Sequence, residues 1–313
     1  MNYAATIGTF DGLHLGHTAL LERLGECARS RGLHTMAVTF ATHPLSVVAP
    51  ARMPKLLSTD AERIRALRES GLAEAVVVLD FDAQLRALTA RQFMEQLHAV
   101  GVRMLLMGHD NAFGSDRLRG LAAYQEIGRE VGIEVVECDA VATVDGRAVS
   151  SSAVRAALAD GDVSLAARML GRPYSLGGEV VHGRGDGHKL GFPTANLAIS
   201  PALCIPASGV YACRATVAAT GPLSCLASEG TITLSAMVNI GVCPTLTAGQ
   251  TTTVEAHIIG LPPEHADLYG QRISLAFLAR LRAERRFPSL QALQAQLHAD
   301  AAAACAAARQ GKL

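Results

Sequence analysis

The hydrophobic positions in the first half of the chain form short apolar runs that alternate with segments of helical periodicity. Polar and glycine-containing segments follow each run, and Thr59 and Thr89 stand where two helices should begin. Strands that alternate with helices of about a dozen residues predict a parallel sheet covered on both faces. The predicted strands cover residues 4–9, 35–40, 75–79, 102–107 and 132–138.

Three polar turns follow three of these predicted strands. The first, residues 8–17, is rich in glycine and histidine; the second contains His43 and Pro44; the third covers residues 108–110. Ligands bind open parallel sheets beyond the carboxyl ends of the strands. The three turns therefore predict a ligand site at one edge of the sheet.

Helical signals largely disappear after two short predicted helices, residues 152–160 and 163–170. Later β-like runs are separated by Gly, Pro and Ser turns, and this spacing predicts a compact antiparallel barrel. We predict a flexible surface loop over residues 220–230 and a final helix from about Leu290. The β-like runs cover residues 178–182, 209–217, 231–239, 252–259 and 272–278.

The predicted fold class is therefore α/β plus β. Residues 1–171 should form a Rossmann-like parallel sheet, and residues 172–313 an antiparallel β-barrel with a terminal helix. A chain of 313 residues is long enough for two such domains.

Composition indicates a soluble globular protein. Half of the residues are hydrophobic, 18% are charged and the formal net charge is zero, which gives no electrostatic case for nucleic acid or an anionic membrane. The N-terminus has no export-signal pattern, and no apolar run approaches the ~20 residues that span a bilayer. Seven cysteines without C-x-x-C spacing argue against a disulfide framework or a zinc site. We expect a cytoplasmic protein.

The first turn has the chemistry of a phosphate site. Its glycines let a phosphate approach the backbone, and the following helix N-terminus offers unpaired N–H groups. His14 and His17 are three residues apart, so both rings could stabilise charge on an α-phosphate and a departing pyrophosphate. The alternative is a plain strand–turn–helix with two surface histidines, but the H-x-G-H spacing after Phe10 and Asp11 favours nucleotide binding.

Residues 150–155 offer further phosphate donors. The hydroxyls of Ser151 and Ser152 and the guanidinium of Arg155 suit a triphosphate. The alternative is an ordinary helix cap with one exposed arginine.

The second half contains a different constellation and no P-loop signature. Thr194 and Asn196 are two apart, so they share one face of an extended strand, and their oxygens suit Mg²⁺. A turn with side-chain caps would give the same pattern. Glu255 interrupts an apolar strand and is therefore exposed, satisfied by a partner, or the base that accepts a proton from an attacking hydroxyl.

Over nearly its whole length the chain resembles the prokaryotic bifunctional riboflavin kinase/FAD synthetases. The first half resembles the FMN adenylyltransferase module, an H-x-G-H nucleotidyltransferase, and the second half the riboflavin kinase module. The matching segments are residues 8–17, 39–40, 43–44, 108–110, 113–114, 150–155, 191–197, 209–212, 239–241, 244–245, 254–257, 267–270, 281–282 and 287.

The resemblance implies a role for each candidate residue. ATP would be the co-substrate, Mg²⁺ the cofactor, and FMN and FAD the products made from riboflavin. His14, His17 and Glu255 would be catalytic. Gly8, Phe10, Gly16, Asp110, Ser151, Ser152 and Arg155 would bind the nucleotide in the adenylyltransferase. Gly183, Lys189, Gly191 and Pro193 would bind ATP in the kinase; His43, Pro44 and Arg282 would bind flavin; Thr194 and Asn196 would hold the metal.

Three positions depart from the family pattern. Ala41 and Thr42 replace an acidic residue and a proline before His43, and His188 stands where the family has an arginine. Two alternatives follow: a riboflavin kinase with a degenerate adenylyltransferase module, or a non-catalytic flavin-binding regulatory protein. Weak self-association is left open.

Overall fold

The computed structural model describes residues 1–108, 111–183, 187, 191–218, 230–244, 250–261 and 267–310. The chain divides into two compact units, Met1–Ser151 and Ser152–Leu313. The predicted boundary between residues 171 and 172 stays a prediction. Among the described residues, no helix is both long and apolar enough to cross a membrane.

The first unit is built on a parallel five-stranded sheet, as predicted. Its strand order is β3-β2-β1-β4-β5. Strands β2 and β3 are added on one side of β1 and strands β4 and β5 on the other, so the order reverses at β1. In such a sheet the crevice at the reversal point is the expected ligand site. The strands are β1 (Tyr3–Ile7), β2 (His34–Phe40), β3 (Ala75–Leu79), β4 (Val102–Met107) and β5 (Glu134–Glu137).

Side chains that alternate along these strands pack on both faces of the sheet. Ala5 and Leu105 contribute to a core on one face, and Ala4 and Leu106 to a core on the other. Helices cover both faces: α1 (Leu15–Arg31), α2 (Leu45–Val48), α3 (Asp60–Glu69), α4 (Ala83–Ala87), α5 (Ala90–Ala99) and α6 (Leu121–Val131).

Local signals set the helix ends. Thr59 and Thr89 each form a capping box with the residue three positions later, as their sequence positions predicted. Gly32 ends α1 in the left-handed conformation with φ 63°. The short helices α2 and α4 and the hairpin of β6 (Thr143–Val144) and β7 (Arg147–Ala148) were not predicted, because elements this short carry no clear periodicity.

The second unit contains the predicted antiparallel barrel. The barrel closes in the order β10-β11-β12-β9-β8-β13. Helix α7 (Ser151–Ala159) and helix α8 (Val163–Leu170) precede it in the chain. The strands are β8 (Ser175–Val181), β9 (Ala195–Ala198), β10 (Gly209–Ala218), β11 (Thr231–Pro244), β12 (Gln250–Ile258) and β13 (Arg272–Arg282). The predicted loop over residues 220–230 lies almost wholly outside the described residues.

The terminal helix α9 (Leu290–Gln310) packs on the outside of the barrel. Ala304 of this helix joins a buried cluster with Val210, Ala212 and Met237, whose side chains leave the barrel on its outer face. An ion pair between Arg282 and Asp300, 2.8 Å long, fixes the helix to β13.

Candidate functional site

The turn after β1 places the two motif histidines against each other. His14 is the N-cap of α1, and its Nδ1 accepts a hydrogen bond from the backbone N–H of His17 at 3.3 Å. The two imidazole rings are stacked with their centroids 3.7 Å apart. Both rings therefore stand at a helix N-terminus, where the dipole and free N–H groups favour an anion.

The pKa of His17 is held well below its ordinary value, first by burial and then by the charge of His14. Within the described part of the chain, the buried His17 Nδ1 has no hydrogen-bond partner. Phe10 packs edge-on against the His17 ring at 5.2 Å. A neutral imidazole of this kind is suited to polarise or hydrogen-bond a phosphate without carrying a permanent charge.

The backbone of this turn is strained. Phe10 and Leu13 have positive φ values, 52° and 38°, which non-glycine residues adopt rarely. A Cβ on Gly16 would lie 2.9 Å from the carbonyl oxygen of Val149, so only glycine lets these two backbones approach. Such strain persists only where surrounding contacts hold it, and it is common at functional sites.

Two anchors connect the turn to the rest of the first unit. The buried carboxylate of Asp11 accepts hydrogen bonds from the backbone N–H groups of Leu57 and Ser58. Ser151 donates its hydroxyl to the Asp11 carbonyl oxygen at 3.0 Å. In this structure Ser151 therefore positions this turn, residues 8–17, which we call the histidine turn.

A cavity of about 550 Å³ opens beside the turn, at the carboxyl ends of β1 and β2. Phe40, Phe81 and Phe113 line it, and Phe40 meets Phe81 edge-on at 5.5 Å. Gly8, His43 and Pro44 also line the cavity. Its size and aromatic wall suit a flat heteroaromatic ring.

A second cavity of about 440 Å³ lies at the carboxyl end of β4. Asn111 lines both cavities and donates its side-chain N–H to the Ile7 carbonyl oxygen at 2.8 Å, which fixes this loop to β1. The Tyr124 hydroxyl donates to the carbonyl oxygen of Phe113 and accepts from its N–H. Two adjoining cavities beside a phosphate-type turn can hold two rings joined through phosphates.

The structure brings together most of the first group of predicted residues. Gly8, Phe10, His14, Gly16, His17 and Ser151 surround the turn, and His43 and Pro44 line the cavity beside it. Asp110 lies outside the described residues. Ser152 and Arg155 lie on α7 in the second unit, and their nucleotide-binding role stays a prediction.

In the barrel, strand register aligns three polar residues in one row. Glu255 on β12 is paired directly with Asn196 on β9 and with Asn239 on β11. Directly paired residues point to the same face with Cβ atoms about 4.5–5.5 Å apart. The buried neighbours Val254 and Ala256 face the barrel interior, so the row lies on the outer face.

Two glycines make room for the predicted metal ligands. A Cβ on Gly183 would lie 2.5 Å from Cγ and 2.8 Å from Oδ1 of Asn196. A Cβ on Gly187 would lie 3.1 Å from the Thr194 hydroxyl oxygen. The glycine backbone therefore contacts both side chains, and their neutral oxygens fit Mg²⁺ that keeps water and phosphate as its other ligands.

A smaller cavity of about 160 Å³ adjoins these residues and is lined by Pro193, Thr194 and Tyr269. The Nδ1–H of His257 donates a hydrogen bond at 2.8 Å to the Pro193 carbonyl oxygen, which fixes the segment before β9. Tyr269 stacks on His182 with ring centroids 3.9 Å apart.

The remaining predicted residues of the second unit have mixed placements. Gly191 has φ 78°, which glycine adopts without strain. Arg282 on β13 pairs with Val210 on β10, and Val210 pairs with Asn239, so Arg282 lies in line with the polar row beyond Val210. Its guanidinium is bonded to Asp300. Lys189 and His188 lie outside the described residues.

Sequence reasoning missed several residues at these sites. Arg63, a buried cation, binds the ends of β1 and β2. Phe81 and Asn111 line cavities but belong to no recognised motif. Asn239 lay in a matched segment without an assigned role, and its position beside Glu255 becomes visible only through the strand pairing.

Comparisons with known proteins agree with this arrangement of two sites. A family model described as FAD synthetase matches residues 1–153, and one described as riboflavin kinase matches residues 170–308. Both matches follow the order expected from the sequence motifs.

Relatives with the same description match along nearly the whole chain. The bifunctional riboflavin kinase/FMN adenylyltransferase of Escherichia coli (strain K12) is 36% identical over 94% of this chain and 89% of its own. That of Pseudomonas fluorescens is 36% identical over 97% and 92%. A crystal structure described as a macrolide-efflux protein from Streptococcus pneumoniae superposes with a TM-score of 0.78, at 29% identity over 96% of this chain and 92% of its own.

Proposed function

The chain belongs to the bifunctional riboflavin kinase/FMN adenylyltransferase family, and from this premise we propose that it makes FAD from riboflavin in two steps. One ATP phosphorylates riboflavin to FMN and leaves as ADP. A second ATP transfers its adenylyl group to FMN and leaves as pyrophosphate. The observation that carries the proposal is the presence of two distinct candidate sites, one in each unit.

The first unit is the proposed adenylyltransferase. An FMN phosphate oxygen attacks the α-phosphorus of ATP, and the bond to the departing pyrophosphate breaks. His14 and His17, at the α1 N-terminus, donate hydrogen bonds to the phosphates and stabilise the charge that develops there. The aromatic cavity beside His43 holds the flavin ring, and the adjoining cavity at β4 holds the adenine.

The second unit is the proposed kinase. Glu255 accepts the proton of the terminal ribityl hydroxyl of riboflavin, whose oxygen attacks the γ-phosphorus of ATP. Thr194, just before β9, and Asn196, paired with Glu255, would hold Mg²⁺, which would supply positive charge to neutralise the phosphates of ATP. Gly183, Gly191 and Pro193 would border the ATP phosphates, and Arg282 would border the flavin.

This assignment predicts catalysis by positioning and electrostatics in both units, without a covalent intermediate. The proposed substrates are riboflavin, FMN and ATP.

Product chromatography tests the proposal. The protein is incubated with riboflavin, ATP and Mg²⁺, and in parallel with FMN, ATP and Mg²⁺. FAD in both reactions is the expected result. FMN alone in the first and no product in the second would favour a kinase whose adenylyltransferase is degenerate, as the Ala41 and Thr42 departures suggested. Flavin binding without turnover in either reaction would favour the regulatory alternative.

A further inference from the structure

A buried arginine in the first unit has no part in the reaction described above. Arg63 lies on α3 with only 4% of its surface exposed, whereas Arg65 on the same helix is exposed. Removing a guanidinium from water is costly unless hydrogen bonds and a counter-charge replace the lost water. The partners of the buried guanidinium therefore show which parts of the structure it connects.

The backbone partners of Arg63 lie at the ends of the two strands that lead into the site. Its Nη1 donates to the Thr9 carbonyl oxygen at 3.1 Å, after β1. Its Nη2 donates to the Phe40 carbonyl oxygen at 2.7 Å, at the end of β2, and to that of Ala41 at 3.4 Å. One planar guanidinium thus connects the histidine turn to the segment that leads to the flavin cavity.

Side-chain partners complete the environment of this guanidinium. Nη1 also donates to the Thr39 hydroxyl at 2.8 Å, and Nη2 forms an ion pair with Asp60 at 2.9 Å. Arginine can make these bonds because the four N–H groups on Nη1 and Nη2 lie in one rigid plane and point to both strand ends. A lysine offers one ammonium group and cannot reach both strand ends in the same way.

Helix α3 also holds the histidine turn through its preceding segment. Asp11 accepts from the N–H groups of Leu57 and Ser58, just before the helix. Arg63 binds Thr9, so the two connections flank Phe10, the residue with φ 52° whose ring packs on His17. The strained part of the turn is therefore fixed on both sides by one structural element.

These contacts also bear on the unusual residues before His43. Arg63 binds Phe40 and Ala41 through their backbone oxygens, so the bonds do not depend on an acidic side chain at position 41. The segment that leads to the cavity rim thereby keeps its anchor despite the departure from the family pattern.

We propose that Arg63 is a positioning residue for adenylyl transfer. It fixes the histidine turn relative to the His43–Pro44 rim of the flavin cavity, and it contacts neither substrate. The inference rests on the proposed function, because it concerns the geometry between the adenylyl donor and the flavin acceptor. A displacement of about 1 Å at such a distance from the chemistry can cost about 10²-fold in rate.

Two substitutions at position 63 and one matched control test the inference. Arg63→Lys keeps the charge without the fork, and Arg63→Met keeps the length without any donor. Arg65→Met removes an exposed arginine from the same helix. For each full-length variant, FAD formation from FMN and FMN formation from riboflavin are measured separately, together with the thermal unfolding midpoint.

We expect Arg63→Lys to lower kcat/KM for FMN in adenylyl transfer about 10- to 100-fold. The KM for FMN should rise more than the KM for ATP, because Arg63 anchors the rim of the flavin cavity. Riboflavin phosphorylation should stay within about two-fold of the unsubstituted protein, and Arg65→Met should leave both activities unchanged. Arg63→Met should show a larger loss; if it does not fold, Arg63→Lys alone decides.

Several results would overturn the inference. One is Arg63→Lys with unchanged kinetic constants for adenylyl transfer. Another is an Arg63→Lys variant in which the KM values for FMN and ATP rise equally while the thermal unfolding midpoint falls. A merely structural role of Arg63 would produce that result. If the unsubstituted protein forms no FAD, the proposed function fails; if it forms FAD and Arg63→Lys matches Arg65→Met, only the role of Arg63 fails.

Discussion

A methyl group added at Gly183 should disable the kinase and spare the adenylyltransferase. In Gly183→Ala, the new Cβ would lie 2.5 Å from Cγ and 2.8 Å from Oδ1 of Asn196. Rotating the amide cannot relieve this overlap, because Cγ itself is too close. The amide nitrogen of Asn196 would be closer still, so the side chain must withdraw by at least about 0.9 Å for its Cγ to reach ordinary van der Waals contact at 3.4 Å.

The size of the effect follows from this displacement. A shift of about 1 Å near a reacting centre costs about 10²-fold, or about 2.7 kcal/mol of transition-state stabilisation. We therefore expect kcat/KM for FMN formation from riboflavin to fall about 100-fold. FAD formation from FMN should stay within about two-fold, since Gly183 belongs to the second unit.

Steady-state assays of both reactions, each analysed by chromatography of the flavin products, measure this effect. Gly25→Ala is the matched control: its Cβ would meet only the end of the Arg29 side chain, at 3.3 Å. This substitution lies inside α1 and should stabilise the first unit by about 0.5–1 kcal/mol without changing either activity. Normal FMN formation by Gly183→Ala would refute the role of Asn196, and an equal loss of both activities would refute the separation of the sites.

Three further predictions concern both units. Glu255→Gln should abolish FMN formation in the riboflavin assay and leave FMN-to-FAD conversion intact; equal loss of both would contradict its assignment as the kinase base. The folded state lowers the pKa of His17, so below pH 6.5 the unfolded chain binds more protons than the folded chain. As the pH falls from 6.5, His17 should therefore lower the free energy of unfolding by up to about 1.4 kcal/mol per pH unit. Urea unfolding between pH 7.5 and 5.5 should show that slope, and His17→Gln should show a smaller one; identical slopes would exclude the effect. Asp300→Ala should lower the unfolding free energy of the second unit by about 3 kcal/mol, because it leaves the Arg282 guanidinium without its carboxylate, and a change below about 1 kcal/mol in urea unfolding would contradict this.

The framework of the fold could be predicted because its signals are local. The central residues of the parallel strands are mostly apolar because both faces of the sheet are covered, and β3 and β4 have the predicted bounds. Thr59 and Thr89 revealed helix starts through capping residues that are neighbours in sequence. The histidine turn likewise lies within ten consecutive residues.

The rest of the site depends on contacts between distant segments. Arg63 has the sequence context of a surface helix residue, and only tertiary structure shows that it is buried against Thr9 and Phe40. Asn196 and Glu255 become neighbours because β9 pairs with β12, although β10 and β11 lie between these two strands in the chain. The periodicity of a single segment carries no information on which strands pair. The catalytic and ligand-binding roles of these residues stay predictions until the assays are made.

The row of Asn196, Glu255 and Asn239 is held by backbone hydrogen bonds rather than by any one side chain. Connections between the strands can therefore gain or lose residues without moving the row, provided that the pairing of β12 with β9 and β11 is kept. An insertion within β12 is different: a shift of one residue would turn Glu255 into the barrel and bring Val254 or Ala256 outward. Engineering of this protein should accordingly place new segments between strands and leave the residue count of β12 unchanged.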